Sequence, residues 1–280
     1  MTGVAEIIVA ELAVLPAEPI IRCAEELRRH FGPKTAAVLF YGGALRELRP
    51  DSLLDFYVLT DDLSILPRPL ERLGAWLLPP NVYFMTPTAG GSVQRCKVAV
   101  MTTRAFARGM STFEPHLWAR FSQAVSAPYL RDASTRDCVV AALATAVETM
   151  ITRVISLMPH HVTPQDLWTR AFMETYAAEL RPEGCSRAAD LARAPRFAPL
   201  TAAMRETVDN QPEPACAALA WSVRRGWGKL LNALRLIKAA FTYDGGLDYA
   251  VAKIARHTGV QIRVRETDRR IQLLGGIRIF

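Results

Sequence analysis

Closely spaced cysteines are what this chain most plainly lacks. Its five cysteines, at positions 23, 96, 138, 185 and 216, form no C-x-x-C pair. Such scatter argues against a structural zinc site and reads as reduced thiols in a cytosolic protein. Long apolar runs are missing too, since none approaches the roughly 20 residues that a membrane-spanning helix requires. The first residues set Glu6 and Glu11 inside an apolar stretch with no basic leader, which is not the pattern of a signal peptide. No serine has a base at a recognisable spacing, so no hydrolase triad can be read. His160 and His161 are adjacent and point in different directions, with no cysteine or third histidine nearby. They read as solvated helix-end residues rather than zinc ligands.

Apolar residues, by contrast, make up 50% of the 280 positions, enough for a substantial core in two domains with a tail. The net charge of +7 is unevenly spread. From Trp221 to Phe280 there are 12 basic and 4 acidic residues, whereas the first 220 hold 22 and 23. All the excess positive charge therefore lies in the C-terminal tail.

Periodicity predicts helices over 4–14 and 18–31, the second presenting Ile21, Ala24, Leu27 and Phe31 on one side before Gly32-Pro33 stops it. Strands are expected near 36–41, 54–59, 81–85 and 95–102, with a helix at 65–77. Helices at 103–109, 114–125, 134–158, 164–180 and 198–208 follow, Thr163-Pro164 supplying a cap and a first-turn proline. Asn210-Gln211-Pro212-Glu213-Pro214 is the best linker candidate. The fold class expected is α/β (α+β), followed by a mainly helical part.

Chemistry concentrates at two strand ends. The apolar run Thr35 to Tyr41 stops at Gly42-Gly43, a buried strand meeting a tight turn. Without Cβ atoms there, backbone N–H groups can approach phosphate oxygens closely. Leu54 to Leu59 is a second apolar strand with the carboxylate Asp55 at its start. A charge in that position is costly unless it is paired or binds a cation. Mg²⁺ suits it, being held by one or two carboxylates together with substrate phosphates. The plainer alternative, a simple turn and a capping aspartate, stays open.

A small-residue turn after one strand and an acid opening the next resemble the phosphate-and-metal cradle of nucleotidyltransferases. Within them the chain resembles the peripheral, mitochondrial-type phosphatidate cytidylyltransferases, the mitochondrial translocator assembly and maintenance family. Tyr41-Gly42-Gly43-Ala44 is similar to the family's tyrosine-glycine-serine-glycine, and Leu54-Asp55-Phe56 through Thr60-Asp61-Asp62 to its strand ending in paired aspartates. Asn81-Val82-Tyr83-Phe84, the lysine-bearing Cys96-Lys97-Val98-Ala99-Val100, and His116-Leu117-Trp118-Ala119-Arg120 with its closing Pro128 continue the likeness. It runs over roughly residues 35–170, to a helix ending at Leu157-Met158-Pro159. Gly43 stands where the family has serine, Ala119 where it has glycine, and Tyr57 where many of the wider superfamily carry a second acid.

The resemblance implies a nucleotidyltransferase-like catalytic domain over 1–130, a helical, winged-helix-like domain over 131–215 and a tail over 216–280. It implies transfer from CTP to phosphatidic acid with Mg²⁺, yielding CDP-diacylglycerol and pyrophosphate, by a peripheral protein on the inner, cytoplasmic face of a membrane. A phosphomonoester acceptor is already anionic, so positioning and charge stabilisation would carry the catalysis. Asp55 is the expected metal ligand, and Asp61 and Asp62 come over from the resemblance alone. Six residues of strand span roughly 20 Å, so Asp61 cannot share a metal with Asp55 unless the chain bends. Asp51 is a weaker substitute. Lys97 is expected as a point charge on triphosphate, or as a snorkelling lysine. Arg120 suits phosphate recognition, or a surface ion pair. Tyr41, Gly42, Gly43 and Arg46 complete the expected CTP cradle. Another acceptor, a different lipid phosphate or RNA, and a degenerate lipid-binding protein are the alternatives.

In the tail, Trp227, Leu230, Leu231, Leu234, Ile237 and Phe241 recur at helical spacing, while Arg224, Arg225, Asn232, Arg235 and Lys238 fall largely elsewhere. Such a basic amphipathic helix can lie on an anionic membrane, or pack on the core with its charged face outward. A helix over Leu247 to His257 and an alternating strand over Gln261 to Arg265 follow. Interleaved aromatics for base stacking are lacking, so no nucleic-acid partner is expected.

Overall fold

The computed structural model describes residues 3–49, 52–89, 92–159, 162–180, 185–209 and 216–242. Two helices, α1 (Gly3–Leu12) and α2 (Glu18–Phe31), precede β1 (Thr35–Tyr41), a 3-10 turn at Gly43–Leu45 and β2 (Leu54–Thr60). Next come α3 (Pro69–Leu77), β3 (Asn81–Met85), the short pair β4 (Thr88–Ala89) and β5 (Ser92–Val93), and β6 (Cys96–Thr102). Then α4 (Thr103–Gly109), α5 (Trp118–Phe121), β7 (Val125–Leu130) and α6 (Ala133–Ile155) lead into α7 (Pro164–Ala177) and α8 (Cys185–Ala192). The described chain closes with α9 (Phe197–Ala203), α10 (Arg205–Asp209) and α11 (Ala217–Thr242). This is a mixed α/β protein with one five-stranded mixed sheet.

The sheet runs β3-β6-β2-β1-β7, with β2 and β6 parallel and the other pairs antiparallel. Alternation of side chains across the pleat divides its contacts. Ala37, Leu39, Tyr41, Tyr57, Leu59, Ala99 and Met101 face the helical side, in a core shared with α1, α4, α5 and α6. Val38, Phe40, Phe56, Val58, Val98 and Val100 face Ile20, Cys23, Ala24 and Leu27 of α2. The first of these cores runs continuously from Val4 to Trp221, across the boundaries expected at 130 and 215.

The segment 114–125 corrects the helix expected there. Only Trp118–Phe121 is α-helical, and Val125–Leu130 pairs with β1 as an edge strand. Pro128 hides this strand from a sequence reader, because proline removes a ladder donor. It is tolerated at an edge where the register shifts opposite Leu39. One helix, α6, is long and apolar enough to cross a membrane by length and composition, contrary to the expectation that no run approaches that length. Packing accounts for its apolarity, since two thirds of it is buried against neighbours. The linker 210–214, His160-His161 and the expected elements 247–257 and 261–265 lie outside the described residues.

The orientation of α11 reverses the core-packing alternative. Its inner face carries Trp221 and Arg224, each 1% exposed, and Gly228. Trp221 Nε1 donates to the Arg153 carbonyl at 2.8 Å, and Arg225 pairs with Glu174 of α7 at 2.7 Å. Arg224 lies between the rings of Phe113 and Trp221, 4.5 and 4.6 Å from their centroids, and donates to the Phe113 carbonyl at 2.7 Å. Burial, with Arg153 adding to it, pushes Arg224 down to about 10. Further along, Arg235 forms a two-pronged pair with Glu114, and Lys238 donates to the carbonyls of Leu78 and Pro80 at 2.5 and 2.7 Å. The cations are thus turned inward, onto acids, rings and carbonyls. Leu219, Val223, Trp227, Leu230, Leu234 and Ile237 are left on the outside.

A close helix contact permits this docking. A Cβ built at Gly228 would stand 2.7 Å from the Ala178 carbonyl oxygen and 3.0 Å from its Cβ. The neighbour is backbone at the end of α7, so relief requires α11 to move. Gly228→Ala is expected to cost about 1–3 kcal/mol by overpacking, despite its gain in helix propensity. Urea unfolding of the full chain measures it, and an unchanged or raised midpoint would show that α11 does not sit this closely on α7.

Candidate functional site

The end of β1 meets the beginnings of β2 and β6. Tyr41 is in register with Asp55 across the antiparallel pair, and Asp55 with Lys97 across the parallel one. Gly42 has φ +93°, a conformation that disfavours any side chain. A Cβ there would also approach Asp55 Oδ2 to 3.2 Å, so the turn is pressed against the carboxylate. Gly43 differs: its Cβ would meet nothing within 4 Å, and it opens the 3-10 turn. Arg46 caps that turn with its backbone N–H on the Gly43 carbonyl and is exposed.

Asp55 is the one position of β2 that is not fully buried. Its Oδ1 lies 3.7 Å from Lys97 Nζ, both side chains being about a quarter exposed. That is a loose ion pair, with room for Asp55 to take a second partner.

An aromatic shelf borders this corner. Tyr57 packs edge-on against Tyr41 at 5.3 Å and against Phe121 at 4.9 Å, and Phe121 against Phe106 at 4.7 Å. The short α5 hangs Arg120 over it, with Cζ 5.4 Å from the Tyr41 ring centroid and Nη1 donating to the Tyr57 hydroxyl at 3.2 Å. Burial opposes the guanidinium charge, but Tyr41, Tyr57 and the Glu179 carboxylate together outweigh it and raise Arg120 above its ordinary value. Tyr57, at the place of the expected second acid, therefore orients an arginine instead.

His116 joins this group, although sequence reading did not assign it a role. Its Nε2 lies 3.4 Å from Arg120 Nη1. Arginine can only donate, so this ring nitrogen accepts and the imidazole is neutral. Burial lowers His116 well below its ordinary value, and Arg120, Arg235, Lys97 and Lys238 lower it further. The available signal was its i, i+4 spacing from Arg120. Beside it lies a small cleft, of about 10 Å³, lined by Ala119, Thr175, Glu179, Gly228 and Asn232 as well as His116 itself.

The three carboxylates expected to hold a metal do not converge. Asp61 and Asp62 lie past the opposite end of β2. Arg131 grips Asp61 with two hydrogen bonds, of 2.6 and 3.0 Å. Asp62 accepts from Lys34 at 2.7 Å and caps a 3-10 turn through the Ser64 N–H, contacts that hold it well below the usual carboxylate range. Asp51 lies outside the described residues. Among the described residues, no three His, Cys, Asp or Glu side chains gather to hold a metal by themselves. What the corner does offer, among the described residues, is one carboxylate, a close-packed glycine turn, a lysine and a half-buried arginine. Such a set can receive a polyphosphate with its accompanying cation. The chain matches no protein-family model and no curated protein.

The neutral His116 has a consequence for stability. In the unfolded chain it titrates near 6.5, and in the fold it stays neutral to lower pH. As pH falls below about 6.5, protons therefore bind the unfolded chain first, and stability falls until the folded value is reached. His116→Gln keeps an acceptor for Arg120 and should flatten that slope by up to ~1.4 kcal/mol per pH unit. Urea unfolding at pH 7.0 and 5.5 for both proteins checks this; equal slopes would mean that His116 titrates in the fold as it does in the unfolded chain.

Proposed function

We propose that this protein is a nucleotidyltransferase that transfers a cytidylyl group from CTP to a lipid phosphate, phosphatidic acid, releasing pyrophosphate and forming CDP-diacylglycerol. The observation that carries the reading is the close approach of Gly42 to Asp55, with Lys97 and Arg120 gathered at the same strand ends. Residues far apart in sequence thereby place cations and one carboxylate around a turn with accessible backbone. The resemblance to the mitochondrial-type cytidylyltransferases selects CTP and phosphatidate within that chemistry.

In this reading the N–H groups of the Gly42-Gly43 turn and the Lys97 ammonium hold the triphosphate, and Arg120 stabilises charge gathering on the reacting phosphate. The acceptor's phosphate oxygen forms the new bond to the α-phosphorus as the bond to the departing pyrophosphate breaks. Asp55 would hold Mg²⁺ as a single protein carboxylate, the phosphates supplying the other oxygens; this matches the one partly open acid at the corner. When bound, Mg²⁺ supplies charge neutralisation on the leaving pyrophosphate. Tyr41 and Tyr57 position Arg120, and His116, neutral, accepts from it without adding a competing proton.

Purified protein incubated with labelled CTP, Mg²⁺ and phosphatidate liposomes should yield labelled CDP-diacylglycerol. Asp55→Asn should lower turnover by about 10²–10³-fold with the fold intact. Asp61→Asn and Asp62→Asn, tied to Arg131 and Lys34, should change it little. Label in RNA would replace the lipid acceptor with a nucleic acid, and phosphatidate binding without turnover would favour a lipid-binding protein. Equal loss at Asp61 would mean that the catalytic corner is at the other end of the sheet.

Gly43 permits a test by gain. A side chain there meets open space, so Gly43→Ser restores the hydroxyl of the resembled motif without strain. The expected outcome is unchanged thermal stability with a KM for CTP lowered by roughly 3–10-fold, the worth of one added hydrogen bond. A raised KM would remove this turn from the triphosphate.

A further inference from the structure

Two helices that touch leave their apolar sides uncovered by the described residues. On α3, Leu70, Leu73, Trp76 and Leu77 are 77, 50, 71 and 63% exposed. On α11, Leu219, Val223, Trp227, Leu230, Leu234 and Ile237 are 43–68% exposed, at spacings of three and four residues that make one stripe. The two stripes flank a joint where Lys238 of α11 donates to the Leu78 carbonyl just past α3 and Arg235 donates to that of Pro79. An exposed apolar area of this extent marks a contact surface rather than ordinary surface scatter.

We propose that the joint outer face of α3 and α11 inserts into the headgroup boundary of an anionic lipid bilayer. Charge favours that occupant. The two helices contain a single acid, Glu71, and it is buried at 4% exposure, whereas Lys229 is exposed and so is Arg72, whose guanidinium donates to the Leu66 and Ser64 carbonyls. The two helices thus offer leucine and tryptophan with net positive charge and no exposed carboxylate, the chemistry of an interfacial helix. The proposal deepens the lipid reading above and rests on it for the choice of a bilayer. It also changes how the contact is made. Arg224, Arg235 and Lys238 are committed to the protein body, so apolar insertion by two helices carries the contact, and the charge of α11 plays the lesser part.

Insertion has consequences for reach. Asn232 and Gly228, on the inner side of α11, line the cleft beside His116, so a bilayer under the outer side lies one helix diameter, about 10 Å, from that cleft.

The test uses the full chain with phosphatidylglycerol-containing vesicles and no CTP. Vesicles with brominated acyl chains should quench Trp76 and Trp227, and Trp76→Phe and Trp227→Phe should each remove part of the quenched signal. Buried Trp118, Trp168 and Trp221 should stay bright. Leu73→Ser with Leu77→Ser, both exposed and therefore harmless to the fold, should weaken vesicle binding at least about tenfold with the tail untouched. Unchanged binding by this double variant would remove α3 from the surface. Several other results would overturn the bilayer as occupant. A dimer in sedimentation that the double variant dissociates would assign the face to a second copy. Shielding of Trp76 from acrylamide without vesicles would assign it to residues 243–280. Turnover of a short-chain, water-soluble phosphatidate reports on the transferase separately. Turnover without vesicle binding sinks the surface alone, and vesicle binding without turnover sinks the transferase alone.

Discussion

A sheet sealed on both faces has no room for charge except at the ends of its strands. β1 is buried at every residue and β2 at every residue but Asp55. An ionised side chain in the middle of either would cost far more than pairing could return. The polar chemistry of the α/β part is accordingly sorted to its two ends. At one, Asp55 and Lys97 stand beside the Gly42 turn under the Arg120 shelf. At the other, Asp61, Asp62, Arg131 and Lys34 close into ion pairs. The two ends carry similar residues and differ in commitment. The carboxylates of one are tightly held, and that of the other is loosely paired and pressed against an accessible backbone turn. That difference makes the Asp55 corner the candidate site.

The same economy of burial explains α11. A helix with five cations and no acid would be expected to turn its charge to water. Here the body supplies what cations need, in Glu174, Glu114, two aromatic rings and the carbonyls closing α3. Hydrogen-bonded and ring-stacked, these cations tolerate partial burial. With four of the five satisfied by the body and Lys229 exposed, the apolar stripe is left outside. The helix therefore couples two surfaces, the cleft beside His116 and an exposed greasy face.

Much of the framework was legible in the sequence. The four expected strands, the helices at 18–31, 65–77, 103–109, 134–158 and 164–180 and the glycine turn against Asp55 all carry local signals: apolar runs, caps and paired glycines. The strand Val125–Leu130 was illegible because Pro128 speaks against a ladder and only an edge with a shifted register excuses it. Within the site, Asp55, Lys97 and Arg120 were identified as candidates, but the role of Tyr57 was not, since an aromatic on a strand reads as core until an arginine is found on its hydroxyl. His116 was missed for a related reason. Its spacing from Arg120 is a faint signal, and its neutrality comes from burial, from Arg120 four residues on and from cations on two distant segments, Lys97 of β6 and Arg235 and Lys238 of α11.

By itself the sequence determined the buried strands, the turn that ends the first of them and the placing of excess positive charge after residue 220. These follow from hydrophobic period, glycine and count, which are local properties of the chain. Only the tertiary structure decided which aspartates are committed to ion pairs and which is left open, and which way α11 faces. Both depend on what lies across space from a charge, and a helical or strand period specifies a face without saying what meets it.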